Sequence, residues 1–211
     1  MTVRKIILYR EEPELLRAKS LAVGKVDQRT RRLIQDLKDT LNHHPEGIGL
    51  AAPQINIHRR VVVVRLGGGE GLEAAAGPPV ALVDPAILEA SGAQRDFDGC
   101  LSFPGLYAET ARPHHLKVTG LDERGNPFER VFRGFDAVLV HHEIDHLEGI
   151  LFIDRVQSIK DLYTIMEDEF GRQVRKPLAD SIRQAEDPLR LSEWKGPIQA
   201  TLPRRRRTNL T

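Results

Sequence analysis

The sequence predicts an α+β fold of mostly antiparallel sheets packed around a central helix that carries a His-Glu-x-x-His pattern. Three observations predict it. Short apolar runs, several with period-two alternation, are separated by Gly, Pro and Asp turns. Two or three helical stretches interrupt them, without the repeating strand–helix rhythm of a parallel sheet. One of these stretches, Phe135 to Glu148, contains His142-Glu143-Ile144-Asp145-His146.

Taken in order, Val3 to Leu8 is a short strand or a docked arm, and Glu12-Pro13 begins a turn. Val26, Thr30, Leu33, Ile34, Leu37 and Leu41 recur at three-and-four spacing, which predicts an amphipathic helix with Asp27 as its N-cap. Pro45 stops it, because proline disfavours helix in the residue before it. Gly47-Ile48-Gly49-Leu50-Ala51-Ala52-Pro53-Gln54 alternates small and apolar residues, which suits backbone that approaches something closely. Arg60 to Leu66 is a buried strand, and Gly67 to Pro79 a flexible surface loop. A strand over Val80 to Val83 is expected to stop at Asp84-Pro85, with another over Ile87 to Ala93. Leu116 to Leu121 and Phe128 to Phe132 alternate around a turn and predict a hairpin. After the His-Glu-x-x-His helix, Asp161 to Arg175 is expected to form a terminal helix. Residues 1–175 are read as one catalytic domain and 176–211 as a polar, basic extension that ends in Arg204-Arg205-Arg206-Arg207.

The bulk properties narrow the function classes. Of 211 residues, 40% are hydrophobic and 29% charged, which suits a soluble globular domain with a real core. The net charge of +1 gives no global pointer to DNA or to a membrane. No apolar run approaches the ~20 residues of a membrane span, and the N-terminal apolar run is too short for a signal peptide. The single cysteine, Cys100, excludes an intrachain disulfide and leaves packing or a functional thiolate.

The chemistry starts at the central helix. Residues four apart lie one turn above each other, about 40° round the axis, so His142 and His146 can hold one metal ion from one face. Glu143 lies beside that face, placed for general-base work on a water rather than for ligation. Such sites differ in their third ligand. A metzincin needs His where this chain has Phe152. A thermolysin-like site needs a downstream Glu, and candidates such as Glu167 have no context that singles them out. Cys100 stands beside Gly99, just before a Ser102-Phe103-Pro104-Gly105 turn that can present its sulfur. One Cys and two His make a tetrahedral site with an open position.

Three segments then resemble the motifs of the peptide deformylases: Gly47 to Gln54, Gly99-Cys100-Leu101-Ser102, and His142 to Gly149. The resemblance spans roughly Val3 to Arg155. It implies a hydrolase that removes the formyl group from the N-terminal formyl-methionine of newly made polypeptides and releases formate. Carried over by motif, Cys100, His142 and His146 bind the metal and Glu143 is the acid/base. Gln54 and the backbone N–H of Leu101 resemble oxyanion donors. The resemblance implies Fe2+ as the metal, while Zn2+ suits the same donors. An unprotected thiolate ligand implies a reducing compartment, the cytoplasm.

Gly47 and Gly49 are expected to let the strand lie against an extended peptide. Ile48, Gly49, Val138 and Leu139, with Leu101, are expected to bind substrate around an apolar methionine pocket, against the plainer reading of Val138 and Leu139 as ordinary core. The basic tail at Arg204 to Arg207 suits either ribosomal RNA or solvent. Three positions depart from the family's usual pattern: Asp98 for Glu, His141 for Gln, and Tyr107 for Arg. They raise an alternative, a deformylase-like protein that binds metal and peptide with weak or no turnover. A general metallopeptidase is a third reading. His43-His44 and His114-His115 read as surface loop.

Overall fold

The computed structural model describes residues 2–67 and 77–178. In chain order the elements are α1 (Pro13–Arg17), α2 (Gln28–His43), β1 (Gly49–Ala51), β2 (Val61–Val64), β3 (Val80–Ser91), β4 (Gln94–Gly99), β5 (Tyr107–Arg112), β6 (His115–Leu121), β7 (Pro127–Arg133), α3 (Gly134–Leu147), β8 (Leu162–Glu167) and β9 (Gln173–Pro177). They form two antiparallel sheets, one in the order β1-β2-β3-β6-β7 and the other β4-β5-β8-β9. No helix among the described residues is long and apolar enough to cross a membrane.

The helix α2 forms as its periodicity predicts. Asp27 caps it, its carboxylate accepting from the Thr30 N–H at 2.8 Å. Leu33, Ile34, Leu37 and Leu41 pack on Leu50, Val61 and Val63 of the first sheet. The opposite face of that sheet meets α3 through Val62, Val64 and Leu116. Every residue of α3 from Ala137 to Leu147 is buried. A helix without a solvent face belongs to the core, yet this one carries His141, His142, Glu143, Asp145 and His146. Buried polar groups require partners, and the second sheet supplies most of them. The helix stops at Gly149, whose φ of +72° is left-handed and where a Cβ would stand 2.1 Å from the Arg17 carbonyl oxygen.

Two expectations about elements are corrected. The Val80 strand does not stop at Asp84-Pro85 but runs on to Ser91 as a single strand. Asp84 takes a positive φ of 49° at a register irregularity, which lets Pro85 sit where no ladder N–H is needed. Its carboxylate accepts from the N–H groups of Val23 and Gly24 at 2.8 and 2.7 Å, which holds the kink. The expected helix over Asp161 to Arg175 is the β8–β9 hairpin, turned at Gly171 with φ +73°. The pair β4–β5 was not expected and carries part of the site. The Val3 to Leu8 segment is a docked arm with Ile6 and Ile7 buried, not a strand. Residues 68–76 of the Gly67 to Pro79 loop, and Arg204 to Arg207 of the tail, lie outside the described residues.

Candidate active site and metal centre

The three predicted metal ligands come together. Cys100 Sγ and one ring nitrogen each of His142 and His146 lie within 4.8 Å of one another. Cys100 follows the last residue of β4, and the two histidines come from successive turns of α3. The Cys100 Sγ to His146 Nε2 separation is 3.3 Å. A tetrahedron built on ordinary metal–sulfur and metal–imidazole bond lengths has a corresponding edge of ~3.5 Å, so the donor set fits a divalent cation. Burial, and then the nearby His142, hold His146 well below its usual pKa and keep its ring neutral, the form that binds a metal.

What orients His142 is Asp98. The Asp98 Oδ1 to His142 Nδ1 distance is 2.6 Å, so Nδ1 carries the proton and Nε2 is left for the metal. The shorter side chain at this position therefore reaches a partner, and that partner is His142 of the candidate metal cluster. Asp98 Oδ2 accepts from Thr110 at 2.7 Å and from Arg112 Nε at 2.8 Å. Arg112 is wholly buried and also donates to Asp145 Oδ2 at 2.8 Å and to His141 Nδ1 at 2.7 Å. An arginine has only donors to offer, so His141 accepts as a neutral ring. Burial first, then Arg112, push its pKa down to about 4 against the pull of Asp145. His141 thus braces the arginine and stands outside the donor cluster. Arg155 donates to Asp145 Oδ1 at 2.6 Å and carries the chain of charges toward the surface. Burial alone would raise the Asp98 carboxyl, but Arg112 and His142 outweigh it and hold the group below the ordinary carboxylate range.

Glu143 is treated differently by its surroundings. Burial pushes its pKa up to about 7, and Oε2 has no hydrogen-bond partner among the described residues. A carboxylate with a high proton affinity and a free oxygen is poised to take and return a proton. Gly49 makes room for it: a Cβ there would stand 2.2 Å from Glu143 Oε1 and 2.9 Å from Leu139 Cδ1. We therefore expect Gly49→Ala to fold and keep its metal while losing about 10²-fold in formate release, since displacement of a reacting group by an ångström has that scale. Activity within threefold of the parent protein would show that the carboxylate tolerates displacement.

Gln54 follows β1 in a single 3-10 turn, Ala52–Ile55. The Ala51 N–H donates to Gln54 Oε1 at 2.8 Å, which turns the amide NH2 toward Cys100 Sγ (3.3 Å) and Ser102 Oγ (3.2 Å). Ile48, Gly49, Gln54, Cys100, Leu101, Val138, Leu139, His142 and Glu143 all line one cleft of about 1050 Å³. His146 is almost wholly buried. Phe152, which occupies the third-ligand position of a metzincin, lies nearly parallel to the His142 ring at 6.2 Å. His43 and His44 also border the cleft, His43 as the last residue of α2, whereas His114 and His115 sit exposed at the β5–β6 turn. Thr110, Arg112, Ser102 and Asp145 were not singled out from the sequence.

Comparison with known proteins agrees with this geometry. The family model described as polypeptide deformylase matches residues 3–162. The peptide deformylase of Caldicellulosiruptor bescii is 44% identical over 156 residues, covering 74% of this chain and 87% of the relative. Peptide deformylase 1 of Bacillus subtilis is 38% identical over 171 residues, covering 81% and 98%. The crystal structure of peptide deformylase from Thermotoga maritima superposes with a TM-score of 0.66 at 34% identity, covering 74% of this chain and 99% of that one. A deformylase structure from Legionella pneumophila gives a TM-score of 0.66 at 30% identity and covers 96% and 100%. With a matched stretch that takes in the cysteine loop, the His142–His146 helix, the whole first sheet and the β4–β5 pair, this chain belongs to the polypeptide deformylase family.

Proposed function

We propose that the chain is a metal-dependent hydrolase that removes the N-terminal formyl group from formyl-methionine of nascent polypeptides and releases formate. The observation that carries this reading is the cluster of Cys100, His142 and His146 beside the free buried oxygen of Glu143, in one cleft of a deformylase-family chain. It favours turnover over a binding-only role, because Asp98 reaches both His142 and Arg112.

Cys100, His142 and His146 would hold the metal, which supplies Lewis acidity that brings the ionisation of water toward neutral pH. Glu143 takes a proton from the attacking water as its oxygen adds to the formyl carbon. Charge collects on the formyl oxygen, where the Gln54 amide and the Leu101 N–H donate as fixed dipoles. Glu143 then gives the proton to the leaving amine, the C–N bond breaks, and formate and a free N-terminal amine result. Ile48, Gly49, Val138 and Leu139 border the space for the methionine side chain. Fe2+ is the proposed metal, with Zn2+ suited to the same donors, and the unprotected thiolate suits the reducing cytoplasm. Residues 1–175 form the proposed catalytic unit, on which Lys176 and Pro177 complete the last strand. The remainder of 176–211 is a basic extension with charge suited to ribosomal RNA.

The test is intact-peptide mass spectrometry on a formyl-Met peptide, with metal-replete protein prepared anaerobically. Loss of the formyl group alone is the expected result. Internal cleavage would identify a general metallopeptidase, and an unchanged peptide with bound metal would identify a binding protein.

A further inference from the structure

Two segments must meet if the formyl oxygen is to receive both of its proposed donors: the turn that carries Gln54 and the loop that carries Leu101. Both are tied to the docked N-terminal arm. The Ile7 N–H donates to the Gln54 carbonyl at 2.8 Å, and the Tyr9 N–H donates to the Ser102 carbonyl at 3.0 Å. The arm is itself held by packing, with Ile7 buried and the Tyr9 ring stacked on Phe103 at 4.7 Å. A segment bonded to both neighbours fixes the spacing between them.

Ser102 closes the same junction with its side chain. Gln54 and Ser102 are each only 1% exposed, so the amide depends on protein partners. The Ala51 N–H holds Oε1 at 2.8 Å. Nε2 lies 3.2 Å from Ser102 Oγ and 3.3 Å from Cys100 Sγ. A primary amide has two N–H bonds. One goes to Ser102, and the other is thereby aimed past Cys100 Sγ at the metal cluster. With Oε1 and one N–H both engaged, the amide is kept from turning over and presenting its oxygen to a developing negative charge.

We propose that Ser102 is a positioning residue for the reaction: its hydroxyl accepts one N–H of Gln54 and so aims the other at the formyl oxygen, while Ile7 and Tyr9 hold the two segments at the spacing this needs. The proposal rests on the deformylase reading above and on Gln54 as a donor within it. Ser102 acts through Gln54 and meets no reacting atom. Its contribution is preorganisation, because a dipole fixed before charge develops needs no reorientation in the transition state. Loss of the hydroxyl frees the amide to rotate and leaves the contacts that bind substrate in place, so the cost falls on kcat.

The experiment measures formate release from a formyl-Met peptide for Ser102→Ala, Gln54→Ala and the double variant, with melting temperature and metal content recorded for each. Ser102→Ala deletes one atom and should lower kcat about tenfold with KM within about twofold, a part of the roughly 10²–10³-fold loss expected when Gln54→Ala removes the donor itself. In the Gln54→Ala background, Ser102→Ala should cost less than about twofold more, because the group it positions is gone. Ser102→Thr keeps the hydroxyl and should stay within about threefold of the parent protein. Should the alanine variant not fold, Ser102→Gly removes the same hydroxyl and is read in the same way. A loss that persists in full in the double variant, a loss in KM alone, or a folded Ser102→Ala within about twofold of the parent overturns the inference and leaves the deformylase reading in place. An unimpaired Gln54→Ala overturns the donor assignment and this inference together. No formate from the parent protein overturns the deformylase reading as well.

Discussion

Replacement of Glu143 by glutamine will leave the metal content of the protein unchanged and lower formate release by about 10²–10⁴-fold, the usual worth of a positioned acid/base. The two side chains have nearly the same shape, so the close packing against Gly49 is kept. Glu143 is outside the cluster of three donors, so the exchange removes no ligand. What it removes is the ability to accept a proton: an amide oxygen remains a hydrogen-bond acceptor but is not a base at neutral pH. Elemental analysis and formate release on the same preparation decide the matter. If Glu143→Gln emptied the site, the carboxylate would be a ligand instead of a base. If turnover survived intact, another group would have to move the proton. Glu143→Ala is the weaker test, because it also opens a cavity between β1 and α3.

How much of this was legible beforehand follows from the kind of signal each part gives. His142, Glu143 and His146 announce themselves because helical periodicity fixes which side chains share a face, and Cys100 because its loop context is short and local. The metal cluster and cleft follow from those segments and from the family resemblance. Arg112 gave no such signal. Charged residues are outward by default, and its partners Asp98 and Asp145 are 14 and 33 residues away in the chain. The strand pair β4–β5 stayed hidden for the same reason: Asp98, Thr110 and Arg112 are buried where a strand pattern would place apolar residues. Within the β8–β9 hairpin, where a helix was expected, Asp168 and Arg172 stand at helical spacing. In the structure that pair closes a turn, with Asp168 accepting from the N–H groups of Phe170 and Arg172 at 2.9 Å each. The β-branched run at Thr164-Ile165 and the glycine at Gly171 were the signals that favoured a hairpin.

Arg112 is where the largest loss of stability is expected. Its guanidinium is the shared cation of two buried carboxylates, and both sides of the site depend on it: Asp98 steadies His142 from β4, and Asp145 sits on α3 between His142 and His146. Removing one member of a buried ion pair strands the other charge in a medium that solvates it poorly, at a cost of about 3–5 kcal/mol. Arg112→Met keeps much of the volume, isolates that electrostatic loss, and should lower the melting temperature by roughly 6–20 °C for a chain of this size. Arg155 still reaches Asp145, so Asp98 is the carboxylate left worse off. The consequence should therefore appear at the metal. With Asp98 less firmly held, His142 loses its orientation, and metal affinity should fall about 10–100-fold. Asp98→Asn separates the two effects, because it weakens the contact to His142 without emptying the space around Arg112. If Asp98→Asn bound metal as tightly as the parent protein, the carboxylate would have no part in presenting His142. If Arg112→Met melted within about 2 °C of the parent, the buried cation would be dispensable to the fold.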